Sequence, residues 1–501
     1  MNRTSVVVVR RGATRAQAVD SPIRRIPRAS AAVVLLLSSV QACNNDVPFT
    51  RPLDPVRIVS IQPSASTGAA ARILYDGSPD AVLRVRYASA DQSDSGATPW
   101  LKAAGGSLPL LGLRPGTRYN VSLEVAGSTG SQESGRVVYD ATPLPAGLAG
   151  IALRVVAGGP LSHGYSLANL TGADNHGYAV AFDSAGVIRW YRDFGPRGTF
   201  EVKQQANGDI TAFVGRSDGF NPVAGGYVEV TPSGDSVRTV MATGSPYTDP
   251  HELMSQFDAS GVLVADYLSG YDIRTADRTA DGGSVDAPLA GHQILRMTSA
   301  GAVDTLLQGW SRWSVADIVV QPVLVGDFDH PNSIDIDRDG TLVVSYRDLS
   351  TIVKLDPRTH AILWQLGGRQ NQFTMVNDPL GGFWGQHDVR VLPNGHLLMF
   401  DNGWNHPTPV SRAVEYALDL TRKTATMVWE YRASPAIFTQ FTGSAQRLSN
   451  GNTVIGFTTQ RTLVEVDRNG ALVSRMAYQS PTVGEPYRFR RIDNLYTYVR
   501  P

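Results

Sequence analysis

From residue 148 to its end the 501-residue chain repeats one local theme, and that repeat constrains the fold more than any other feature of the sequence. Runs rich in β-branched and aromatic residues flank short turn signals. Asp183-Ser184-Ala185-Gly186 sits between the runs 178–182 and 187–191, and Asn207-Gly208, Ser233-Gly234, Ser260-Gly261 and Ala300-Gly301 follow. Asp339-Gly340, Asp356-Pro357, Asn394-Gly395, Asp419-Leu420, Asn450-Gly451 and Asn469-Gly470 continue the series. Glycine, asparagine and aspartate tolerate the positive φ that tight hairpins require. The first turn and the five pairs after it mark six units of roughly 40 to 60 residues, each expected to carry two hairpins and with almost no helical periodicity, which predicts a six-bladed β-propeller over 148–501. Five or seven blades stay open, because the first and last units can share strands. Closing the ring protects the strand edges.

A smaller all-β unit is predicted before it, at 55–145. The runs 56–61, 81–87 and 119–125 alternate apolar with polar residues, as strands do with one face on a core. Leu111-Gly112-Leu113-Arg114-Pro115-Gly116-Thr117-Arg118-Tyr119 resembles the late strands of a fibronectin-III/Ig-like β-sandwich, where a tyrosine at the turn ties the corner to the backbone. Thr142-Pro143-Leu144-Pro145-Ala146-Gly147 reads as a stiff linker.

The single cysteine, Cys43, excludes an internal disulfide and any multi-cysteine metal cluster. Arg24, Arg25 and Arg28 precede the apolar run 31–37 and then Ser38-Ser39-Val40-Gln41-Ala42-Cys43. A charged stretch, a short apolar stretch and a small residue before the cleavage point predict an export signal over 1–43. The apolar run is too short to cross a bilayer of about 30 Å. It looks like a bacterial lipoprotein signal with Cys43 as the lipidation site, residues 44–54 forming a tether; the alternative is a plain secretory signal with an incidental cysteine. The expected location is the cell envelope, on the periplasmic face in a Gram-negative source, with the membrane reached through the lipid anchor alone.

Lys plus Arg equals Asp plus Glu, at 45 each, so no global field draws the chain to nucleic acid. Neither a phosphate-binding loop nor a dinucleotide fingerprint is present, and no nucleotide or other cofactor is expected. Gly215-Arg216-Ser217-Asp218-Gly219 matches a nucleophile-elbow pattern but lies in a β-only repeat and reads as a loop. Asp337 to Asp339 hint at calcium, but Gly340 follows too soon and no glutamate stands at the needed spacing.

The nine histidines are informative through their phase. His251 stands ten residues before Gly261, His330 ten before Gly340 and His387 eight before Gly395. Each therefore opens the first strand of a blade, the strand that lines a propeller's central channel, so the three can converge. The corresponding places near Phe200 and Gly443 hold no histidine. Asn332 adds a donor near His330, and Arg347, at the end of the paired strand, offers a planar charged fork suited to an oxyanion. The bland alternative for Arg347 is a surface arginine paired with Asp348 or Asp335. A guanidinium among histidines argues against a metal.

His330-Pro331-Asn332-Ser333-Ile334 with Ser345-Tyr346-Arg347, and Trp384-Gly385-Gln386-His387-Asp388 with Leu398-Met399-Phe400-Asp401-Asn402-Gly403, resemble the bacterial arylsulfate sulfotransferase family over about 148–500. The resemblance implies a six-bladed propeller behind a β-sandwich and transfer of a sulfuryl group from an aryl sulfate to a phenol, without a nucleotide sulfate donor. It implies that His387 is the sulfated nucleophile, that His330, Asn332 and Arg347 hold the sulfuryl oxygens, and that His251 is a further catalytic histidine. Either His251 or His330 then serves as general acid and base. Partners would be small aryl sulfates and phenols; the oligomeric state is open, a homodimer included. Phe383, Trp384 and Trp404 either flank the substrate ring or pack between blades. The competing readings are a non-enzymatic binding propeller and an aryl sulfatase that delivers the group to water.

Overall fold

The computed structural model describes residues 56–496 except 65, 79–80, 104, 128–129, 216–223, 280–282, 321–325 and 482–483. Cys43 and the signal and tether read at 1–54 lie outside the described residues, as do residues 216–219 of the elbow-like motif. The described chain is all-β and folds into eight sheets.

Two sheets belong to the N-terminal region. One orders Arg57–Pro63, Ala70–Asp76 and Ser107–Leu111; the other is built on Val82–Ser89 and Arg118–Gly127. Ile73, Leu83, Val85, Leu110, Tyr119, Val121 and Leu123 meet in one apolar core, as the period-two alternation demands. Tyr119 accepts a hydrogen bond from the Arg114 amide at 2.9 Å and donates to Asp94, which ties the corner where the sequence placed it.

The remaining six sheets follow one another along the chain. Gly198–Gln204, Tyr247–Phe257, Pro331–Ile336, His387–Val391 and Ser444–Arg447 are the first strands of five of them, and each packs beside the next. The ends of the region are exchanged. Ala152–Gly158 pairs with Leu472–Gln479 of the last sheet, while Arg490–Ile492 pairs with Tyr165–Thr171 of the first. Second strands such as Gly177–Phe182, Leu342–Tyr346 and Thr453–Phe457 are buried throughout, because a sheet covers each face. This is why they read as unbroken apolar runs rather than as alternation. At the turn after Gly177–Phe182, Asp183 Oδ1 accepts the Ala185 and Val187 amides, and Gly186 adopts φ 85°. A Cβ at Gly186 would lie 1.9 Å from the Leu153 carbonyl oxygen, so the turn needs glycine for space as well as for dihedral.

The N-terminal region does not hang on a bare linker. Thr67–Gly68 adds a short strand to Ile188–Asp193, Arg189 donates twice to Asp94 at 2.6 and 2.7 Å, and Ala70 and Leu111 share a core with Leu167, Trp190 and Leu495.

Candidate active site

The first strands of successive sheets begin irregularly, and the irregularity aims side chains inward. Register breaks fall at Phe200/Val202, Thr248/Leu253, Pro331/Ser333 and His387/Arg390. Glu201, His330 and Asp388 there take positive φ of 26°, 54° and 58°. A bulge lets neighbouring residues avoid strict alternation, and conformations of this kind gather at functional sites.

The three phased histidines meet. The rings of His251 and His330 are 4.4 Å apart and those of His330 and His387 6.4 Å. Tyr487, three residues before the strand Arg490–Ile492, lies 5.5 Å from His251 and 6.5 Å from His387, and stacks at 4.1 Å on Phe200. Phe200 thus occupies the position where the repeat lacked a histidine.

Each histidine has its own backing group. His251 Nδ1 lies 3.0 Å from both Asp249 oxygens, and His330 Nδ1 lies 2.6 Å from Asp327. His387 Nδ1 lies 2.7 Å from Asn402 Oδ1. The Asn402 amide nitrogen donates to the Thr439 and Thr442 carbonyls, so Oδ1 is its acceptor end and His387 Nδ1 must carry the hydrogen. The lone pair is then on Nε2. Burial holds the His387 imidazole well below its ordinary value, and the Arg347 and His330 charges reinforce the shift against the opposing bond to Asn402. Burial also lowers His251, with Asp249 opposing.

Arg347 is not a surface residue: it is 1% exposed, and Nη1 donates to Asp348. Nε and Nη2, which share one edge of the guanidinium, have no partner among the described residues. Its plane lies 5.9 Å from the Trp404 ring and 5.6 Å from Phe441. Asn332 is fully buried; it donates to the Gln386 carbonyl at 2.8 Å, and its Oδ1 has no partner among the described residues. Unsatisfied buried polar atoms are rare in finished interiors. Phe383 packs instead in a core with Leu366 and Val389.

Beyond the histidines the interior carries ion pairs. Glu252 accepts from Lys203, from Arg390 at 2.5 Å and from Arg488 at 2.9 Å, and Asp388 pairs with Arg390 at 2.8 Å and Arg490 at 2.6 Å. Ligand atoms of Asp327, His330 and Asp348 lie within 4.8 Å of one another, close enough for a cation. However, Asp327 is engaged by His330 and Asp348 by Arg347. Lys354 sits between Asp337 and Asp339, where the sequence hinted at calcium.

Sequence reasoning missed Asp249, Asp327, Tyr487 and Arg488 as site components. The aspartates carried a signal, each standing two or three residues before a phased histidine; Tyr487 and Arg488 carried none.

Among solved structures the chain is similar to a protein of unknown function from Bacteroides caccae, at 14% identity and TM-score 0.38, covering 66% of this chain and 99% of that one. It is similar also to a streptogramin B lyase, at 11% identity and TM-score 0.36, covering 69% and 92%. Apo AztD from Citrobacter koseri is a third, at 10% identity and TM-score 0.28, covering 82% and 98%. Likeness this weak bears on neither function nor mechanism. No curated protein matches. Residues 311–485 match the family model described as Arylsulfotransferase (ASST), a segment that holds His330, Asn332, Arg347 and His387 but not His251. Through that segment the chain is similar to the arylsulfotransferase family.

Proposed function

We propose that the six sheets after residue 148 form a six-bladed β-propeller behind a β-sandwich, and that its axial site moves a sulfuryl group from an aryl sulfate to a phenol through a sulfohistidine at His387. The observation that carries the reading is the forced tautomer of His387: Asn402 Oδ1 accepts the Nδ1 hydrogen bond and leaves an unprotonated Nε2 on the ring that neighbours His330. Nε2 attacks sulfur as the S–O bond to the aryl group breaks, and the departing oxygen takes a proton from His251 or His330. In the second half the acceptor oxygen attacks sulfur, gives its proton back to that histidine, and the N–S bond breaks.

The free edge of Arg347 suits two sulfuryl oxygens, and the second amide hydrogen of Asn332 can serve a third. Such preorganised donors are each worth about 10²- to 10³-fold in kcat. Export as a lipoprotein anchored through Cys43 belongs to the same proposal.

The test is a burst. Donor without phenol should release one equivalent of aryl alcohol and leave one sulfo group on the peptide that contains His387, with digestion kept near neutral pH because an N-sulfo imidazole is acid-labile. Initial rates with varied acceptor should give parallel double-reciprocal lines. Converging lines and no adduct would sink the covalent mechanism. Steady turnover that phenol does not accelerate would mean transfer to water, and no turnover at all would leave a binding protein.

A further inference from the structure

A fourth histidine outside the phased set is built into the same network. His292 lies in Ala287–Thr298, the third strand of its sheet, and is 3% exposed. Both ring nitrogens face carboxylates: Nε2 lies 3.2 Å from Asp249 and Nδ1 lies 2.6 Å from Asp329. Asp249 is the aspartate that holds His251 Nδ1. Asp329, fully buried, also accepts the backbone amides of His292 at 3.2 Å and His330 at 3.0 Å. The room for it comes from Gly309, where a Cβ would lie 2.0 Å from Asp329 Oδ2. One imidazole thus links the backing carboxylate of His251 to the backbone of His330.

We propose that His292 is the positioning residue for proton transfer: held as an imidazolium between Asp249 and Asp329, it pins the Asp249 carboxylate, fixes His251 as its Nδ1–H tautomer and leaves His251 Nε2 to exchange the proton with the aryl oxygen. This rests on the sulfuryl-transfer reading of the site. Burial opposes a charge on His292, but Asp329 and Asp249 outweigh it and hold the group well above the ordinary imidazole range. His251 is faced by Asp249 from its own strand, by His330 and Asp327 from the next sheet, and by the Tyr487 and Phe200 rings; His292 is faced by Asp249, Asp329 and the Tyr271 ring. His330 has a simpler support, Asp327 alone, which is itself partly open to solvent. The geometry therefore favours His251 as the relayed acid and base.

The experiment is His292→Gln in the full chain with two donors. 4-Nitrophenyl sulfate has a leaving group that departs without a proton; phenyl sulfate has one that needs it. A group that positions a general acid should cost phenyl sulfate at least about tenfold more in kcat than 4-nitrophenyl sulfate. Removing the cation also strengthens Asp249 as a partner of protonated His251, the acid of the donor half-reaction, so the descending limb of kcat/KM for the donor should move to higher pH. A purely structural role would slow both donors alike and leave the limb in place, and that result would overturn the proposal. Ring-nitrogen NMR of the wild-type protein needs neither substrate nor variant. His292 should keep both ring hydrogens into alkaline pH, and His251 should show the Nδ1–H tautomer alone; a neutral His292 or a mixed His251 tautomer would refute the relay even if the variant does not fold. Wild type that turns over neither donor would defeat the sulfuryl-transfer reading, while the NMR result still decides whether the relay exists.

Discussion

Two stretches of the same inner strands are both polar, one buried at Glu252 and Asp388 and the other partly open at His251 and His330, and they are organised in opposite ways. At the strand starts, His251, His330 and His387 each bring Nδ1 to a backing group, and among the described residues nothing bonds their Nε2 atoms. One residue further along, Glu252 and Asp388 join Lys203, Arg390, Arg488 and Arg490 into pairs that cross from sheet to sheet. The second arrangement spends its charges on holding the strands together. The first keeps donors and lone pairs available, with the Nε–Nη2 edge of Arg347 the clearest case. A closed ionic layer beneath an open polar one is how a ring of separately folded hairpins can hold a site without reorganising when charge develops.

The largest effect that would break this comparison is at the mouth. His387→Asn should abolish the burst and the adduct and lower kcat by at least about 10³-fold, with the melting temperature nearly unchanged, since catalysis without the nucleophile relies on binding alone. Normal turnover in that variant would remove the distinction between the two layers.

Glu252→Gln probes the closed layer. Removing one partner from a buried ionic network costs about 3–5 kcal/mol, so thermal or urea unfolding should register the change. A catalytic loss with no loss of stability would place Glu252 in the open layer instead. The sign with pH follows. Burial disfavours the Glu252 carboxylate, but Arg390, Lys203 and Arg488 hold it well below its unfolded value of 4.5. Its contribution is therefore present above that value and is lost as pH falls below it. The variant should show a shallower loss of stability in acid than the wild type does.

Arg347→Lys should cost about tenfold in kcat/KM, roughly 1.4 kcal/mol, because an ammonium cannot span two oxygens as the free guanidinium edge can. Wild-type kinetics would mean that the unpartnered edge is incidental. The smallest expected effect sharpens the comparison by its absence. With His387 held well below 6.5 by burial, the burst rate with 4-nitrophenyl sulfate should stay flat as pH falls through that value. A drop centred near 6.5 would show that His387 protonates like an exposed imidazole.

Much of the architecture was legible because it is local. Hairpin turns are written within a few residues, as at Asp183 to Gly186, and the doubly covered second strands announce themselves as apolar runs. The phase of His251, His330 and His387 was legible for the same reason, since a repeat places equivalent residues at equivalent points. Tyr119 was readable from its turn. What the sequence could not hold is whatever depends on closing the ring. Tyr487 stacks on Phe200 from the far end of the chain, Arg488 reaches Glu252, and His292 joins Asp249 of its own sheet to Asp329 in the segment that leads into the next. Period and turn chemistry fix which residues point inward, because those depend on neighbours a few positions away; which inward residues then touch is decided by the packing of sheets whose strands are remote in sequence, and only the tertiary structure supplies it.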